Sequence, residues 1–239
     1  MNTHNYKLSV GGIIVNVSKK TKLKNIYIRV LPPDGEVTVS APIDCSDSEI
    51  EIIILKKLPQ INQSIYNFKN QPRQSKREYV SGESLYLWGQ KYMLDVNVGH
   101  TKKSVVKTNK KIILNIPEEC SLKSKEKIIT EWYREEIKNT LPRTIKRCEK
   151  LTGLSAKEYR VKNMKTKWGS CNINDKRIWI NLQLAKKPVE CLEYVMIHEL
   201  CHLVERNHNN RFYQLVNGYY PNWEDTKKTL DEMPLDYYN

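Results

Sequence analysis

The chain has no long hydrophobic run: its longest aliphatic stretch, Ile52-Ile53-Ile54-Leu55, falls far short of the ~20 residues that span a bilayer. The opening Met1-Asn2-Thr3-His4-Asn5-Tyr6 has neither a basic start nor an apolar core. A secretory signal is therefore not readable, and the expectation is a cytoplasmic protein with no membrane partner. None of the six cysteines (Cys45, Cys120, Cys148, Cys171, Cys191, Cys201) stands at C-x-x-C spacing from another. That argues against a disulfide framework and for free, mostly buried thiols. Glycine is scarce, with 9 residues, and no Gly-rich phosphate loop is present. Low-complexity and disordered classes are excluded by 39% hydrophobic and 28% charged residues with only 10 prolines.

What the chain has in surplus is positive charge, 40 Lys and Arg against 27 acids for a net +13 over 239 residues. The surplus is local. From Arg143 to Arg177 there are eleven basic and three acidic residues, whereas from Ile178 onward there are six and nine. The basic stretch includes Lys162, Lys165 and Lys167. A solvated face is the ordinary fate of such a run, and an anion-steering rim at a cleft is the functional one. A nucleotide or nucleic-acid partner is therefore kept open, and nothing fixes the oligomeric state.

The first part reads as β-rich, with alternating β-branched residues over Tyr6 to Val17, Ile26 to Val30 and Val37 to Ala41. Pro32-Pro33-Asp34-Gly35 marks a hairpin turn between the last two. Ser46 followed by Glu49 has capping-box spacing and opens a helix through Ile50, Ile53, Ile54 and Leu58. Short strands follow at Ser84 to Trp88, Lys91 to Val98, Lys103 to Lys107 and Lys111 to Ile116. Composition shifts near Pro117. A helix is then expected from Lys123 to Leu151, kinked or split at Pro142 and closed by Gly153. Two strands are expected at Arg160 to Lys167 and Lys176 to Leu184, then a nearly all-apolar helix from Pro188 to about Arg206. A last short helix starts near Asn222. The resulting expectation is an α+β chain with a β-rich region at 1–119, a second region at 120–239 and no internal repeat.

The chemistry concentrates in His198-Glu199-Leu200-Cys201-His202, an H-E-x-x-H sequence in the most hydrophobic helix. Two histidines four apart share a helix face, so both imidazoles can reach one metal ion, with Glu199 at the side, able to touch a water there. Uncompensated, two imidazoles and a carboxyl group are costly in such a helix. Three of the five histidines fall within the eleven residues 198–208. His208 lies six residues past His202, so it joins the pair only if the helix stops, for example at Asn207, and the chain bends back. Glu224 and Cys171 are the alternative further ligands. The spacing also fits metzincins, but Glu205 stands where they carry Gly.

Trp168-Gly169-Ser170-Cys171, the strand Ile178-Trp179-Ile180-Asn181-Leu182 and the run from His198 through Asn207-His208 to Arg211-Phe212 resemble the YgjP-like, SprT-like zinc metallopeptidases. The resemblance implies a zincin-like metallopeptidase core around a central H-E-x-x-H helix, behind a small β-rich N-terminal part. It implies Zn²⁺ on His198, His202 and His208, with Glu199 as catalytic base. The expected activity is hydrolysis of a peptide or protein substrate by a metal-activated water. Trp168, Ser170 and Arg211 are candidate substrate contacts, with Ser170, Arg211 and Tyr213 as candidate oxyanion partners. The strand Arg177 to Leu184 is a candidate edge for peptide pairing. A nucleotide pyrophosphatase and a nucleic-acid-directed protease are the alternatives.

Overall fold

The computed structural model describes residues 3–31, 34–70 and 77–232. The chain forms two compact units that divide near residue 75. Among the described residues no helix is long and apolar enough to cross a membrane.

The first unit is a four-stranded sheet with one helix on it. Gly11 and Gly12, both at positive φ, break the expected Tyr6–Val17 strand into β1 (Thr3–Val10) and β2 (Ile13–Lys20). β3 (Tyr27–Leu31) and β4 (Glu36–Pro42) form the expected antiparallel hairpin; Pro32 and Pro33 of its turn lie outside the described residues. The strand order is β1-β2-β4-β3, with β2 and β4 parallel. Every second residue of β2 and β4 faces inward, so Val15, Val17, Val37, Val39 and Ala41 meet Ile50, Ile54 and Ile61 of α1 (Asp47–Asn70). The capping box at its start is formed: the Ser46 amide donates to Glu49 Oε2 at 2.8 Å and the Glu49 amide to Ser46 Oγ at 3.3 Å.

The second unit repeats this plan. Strands β5 (Ser84–Leu87), β6 (Gln90–Val98), β7 (Ser104–Lys107) and β8 (Lys111–Ile116) are ordered β5-β6-β8-β7, with β6 and β8 parallel and both outer pairs antiparallel. A long helix, α2 (Leu122–Thr152), follows. The entrances to α1 and α2 match in chemistry too. Pro42-Ile43-Asp44-Cys45-Ser46 parallels Pro117-Glu118-Glu119-Cys120-Ser121. In both, the cysteine thiol donates to the next serine's carbonyl, at 3.5 and 3.9 Å. In both, the serine hydroxyl accepts the amide three residues on, at 3.3 Å. The chain thus contains an internal repeat where none was expected. Its sequence signal is confined to this five-residue helix entry, because strand lengths and side chains differ elsewhere.

Pro142 does not split α2. It removes one donor inside the helix, but Ile137, Leu141 and Cys148 are buried on either side and hold the register across the gap. Gly153, at φ +68°, closes the helix by donating to the Glu149 carbonyl at 2.8 Å. Next come β9 (Glu158–Lys162), β10 (Gly169–Asn172) and β11 (Arg177–Asn181). Their order is β10-β11-β9, so β11 is the central strand and β10 is an edge. That corrects the peptide-pairing expectation for Arg177 to Leu184. The last part of that stretch, Leu182–Lys186, is a 3₁₀ turn, because Asn181 Oδ1 accepts the Gln183 amide and ends the strand.

Helix α3 (Val189–Cys201) has nine of thirteen residues buried and packs against α2, β10, β11, α4 (Asn210–Tyr219) and α5 (Trp223–Glu232). The sheet β5–β8 belongs to the same core as α3, with Leu87, Leu94, Leu114 and Ile116 in one cluster with Met196 and Leu200. The compact unit around the H-E-x-x-H helix therefore starts near residue 75, against the expected division between 119 and 120.

Candidate metal centre

α3 ends at Cys201, five residues before the expected stop. Tight turns close it, with the Leu203 amide on the Leu200 carbonyl and the Val204 amide on the Cys201 carbonyl, each at 3.0 Å. The Asn207 amide donates to Glu205 Oε1 at 3.1 Å, and Asn209 caps α4 by accepting the Phe212 amide at 3.0 Å. This short loop turns the chain back and brings His208 to the other two histidines.

The ligand nitrogens of His198, His202 and His208 lie within 4.8 Å of one another, and His198 Nε2 stands 3.0 Å from His208 Nε2. The His202 Nδ1 sits 3.1 Å from the Glu205 carbonyl oxygen, which assigns the proton to Nδ1 and leaves Nε2 as the lone-pair donor. Burial and the neighbouring imidazoles push His198 down to about 3, so it is neutral at physiological pH. Three imidazoles converging on one point fit a divalent metal with nitrogen preference. Neither Cys171 nor Glu224 belongs to the cluster, among the described residues.

Phe212, fully buried, is the floor of the site. Its ring centroid lies 4.9, 4.6 and 4.7 Å from those of His198, His202 and His208, and the contact with His202 is stacked. A second set of rings braces the loop: His208 stacks on Tyr213, Tyr213 on Trp223, and Trp223 on Tyr194, which meets His198 edge-on. The sequence reading assigned no role to Phe212, Tyr194 or Trp223. The available signal was the four-residue step from His208 to Phe212, which is unreadable without knowing that the helix restarts at Asn210.

Glu199 is 5% exposed and faces β10. It accepts a hydrogen bond from the Cys171 amide, while burial pushes its carboxyl up to about 8, partly opposed by the charge of Lys167. Gly169 makes this position possible. A Cβ at residue 169 would lie 2.5 Å from Glu199 Oε1 and 2.7 Å from its Cγ. Gly169 is thus required for close approach inside a strand. The loop before β10 is tied down by the buried Asn181, whose amide nitrogen donates to the Met164 and Lys167 carbonyls at 2.9 and 2.7 Å.

A cleft of about 540 Å³ opens over these groups, walled by Lys167, Trp168, Ser170 and Cys171 on one side and by Tyr194, Val195 and Leu230 on the other. Of the candidate substrate contacts, Trp168 and Ser170 line the cleft. Arg211 does not line the cleft; it is exposed on α4. Tyr213 is used in bracing His208.

The model of the YgjP-like metallopeptidase domain matches residues 24–233. The chain belongs to the YgjP-like metallopeptidase family. No curated protein matches it. Among solved structures, the metallopeptidase zymogen abylysin of Pyrococcus abyssi matches at 17% identity and a TM-score of 0.35, over 37% of this chain and 90% of that one. Membership in the YgjP-like family implies a divalent metal, and among the described residues the histidine cluster is the place whose donors suit one.

Proposed function

We propose that the chain is a zinc-dependent peptidase that hydrolyses peptide bonds, with His198, His202 and His208 holding the metal and Glu199 as general base. The observation that carries this reading is the pairing of three convergent imidazoles with a buried carboxyl group one residue after His198 on α3. Zinc, when bound, supplies a Lewis acid that polarises a carbonyl and acidifies water. Glu199, held by the Cys171 amide, takes a proton from the attacking water and delivers it to the leaving nitrogen. Three protein ligands leave a coordination position for water or substrate, which distinguishes a catalytic from a closed structural site. The edge strand β10 borders the cleft, where an extended peptide can add as a further strand.

The test is metal analysis of purified protein beside a screen of peptides, casein and nucleoside triphosphates. E199Q is expected to keep its metal and lose turnover by about 10²–10⁴-fold, whereas H198A is expected to lose both metal and activity. Full activity of E199Q with unchanged metal content refutes the role of Glu199. Release of pyrophosphate without new amines refutes the peptide substrate.

A further inference from the structure

The cleft is charged unevenly. Lys167, Arg206 and Lys227 line it, against Asp231 and the catalytic Glu199. Among the described residues none of these three cations forms an ion pair within salt-bridge distance. Lys227 and Asp231 are one turn apart on α5.

The groove also continues. Past His202 a second hollow, about 600 Å³, lies between β10 and the turn after α3, lined by Asn172, Ile173, Asn174, Leu203, Val204 and Arg206. Ser170, Cys171, His202 and Arg206 line both hollows, so the edge strand β10 borders one continuous groove. The cations are spread along it. Lys227 stands toward α5, Arg206 at the far turn, and Lys167 near Glu199.

We infer that this groove takes peptides carrying acidic side chains on both sides of the scissile bond, Lys227 receiving one and Arg206 the other. The inference rests on the peptidase reading above. An extended peptide beside β10 advances ~3.3 Å per residue and turns alternate side chains to the same face, so residues on either side of the reacting bond reach toward opposite ends of the groove. Asp or Glu there meets a cation held in no salt bridge, and Lys or Arg meets like charge, which discriminates as strongly as the attraction does. The field extends to the centre: the charge of Lys167 acts on Glu199 and His202, and that of Lys227 on His198.

The experiment uses one peptide scaffold with Asp, Asn or Lys at each flank of the scissile bond. Metal-loaded protein is read by kcat/KM, and E199Q is read by the Kd of the same peptides. Asp is expected to exceed Asn by about fivefold at each flank, with the preference shrinking between 50 mM and 500 mM salt. K227E should reverse the preference at one flank only and R206E at the other, with K227Q and R206Q merely abolishing it. Equal Kd and kcat/KM for Asp, Asn and Lys peptides overturns the inference. If no peptide is cut, the peptidase reading fails, yet the groove's acid preference is still decided by the Kd series on E199Q.

Discussion

Replacing Gly169 by alanine adds one methyl group where the chain has no room for it. The new Cβ would stand 2.5, 2.7 and 2.8 Å from Oε1, Cγ and Cδ of Glu199. Contacts that short cannot persist, so something must move. Gly169 is locked in the β10–β11 ladder opposite Ile180, so the carboxyl group is displaced instead. Glu199 is 5% exposed, and its retreat strains the site or loses the Cys171 amide. Overpacking of this kind costs about 1–3 kcal/mol of stability. A displacement of ~1 Å in a reacting group costs about 10²-fold in rate. G169A is therefore expected to bind metal normally, to unfold at a modestly lower urea midpoint, and to lose about 10²-fold in kcat on a peptide substrate. The control is G218A, in α4, where nothing lies within 4 Å of the added methyl group and helix propensity favours alanine by about 0.5–1 kcal/mol. It should be fully active and slightly more stable. Wild-type kcat in G169A would show that the position of Glu199 is not set by the glycine, and the close-approach reasoning fails.

Two further outcomes follow from buried groups. F212A removes the ring beneath all three histidines and should cost about 3–5 kcal/mol with a 10–100-fold loss of metal affinity; F212L, refilling the volume, should recover most of the stability. Metal affinity unchanged in F212A, measured by competition with a chelator, refutes the positioning role. Lys187, 2% exposed with its ammonium 5.5 Å from the Trp168 ring centroid, is pushed down to about 8 by burial. Between pH 8 and 10.5 the unfolded chain keeps that proton and the folded one does not, so stability rises with pH in this window. From pH 7.5 to 9.5 the Lys187 contribution should rise by about 2 kcal/mol, read as wild type minus K187M in urea unfolding. A flat or falling difference refutes it.

Local features were legible because they depend on neighbours in sequence. The Ser46–Glu49 capping box, the four strands from Ser84 to Ile116 and Gly153 as a helix end all require only a few adjacent residues. The edge position of β10 was not legible. Four residues, Gly169–Asn172, with little β-branching carry almost no strand signal, and they form one because β11 lies alongside. The internal repeat was hidden for a related reason. Pairing order is a tertiary property, and matching side chains survive only where the helix caps demand them.

At the candidate site the division is sharper. The spacing of His198 and His202, with Glu199 between them on a strongly apolar helix, placed two imidazoles and a carboxyl group together before any fold was known, because helix pitch is a constant of the backbone. The third imidazole depended on where α3 stopped, and that was decided by the turns at Leu203 and Val204 and the Asn209 cap. The Phe212 floor, the glycine that admits Glu199 and the cations spread along the groove depended on which elements pack against α3. Periodicity reports the face a residue occupies; only packing determines what it meets there.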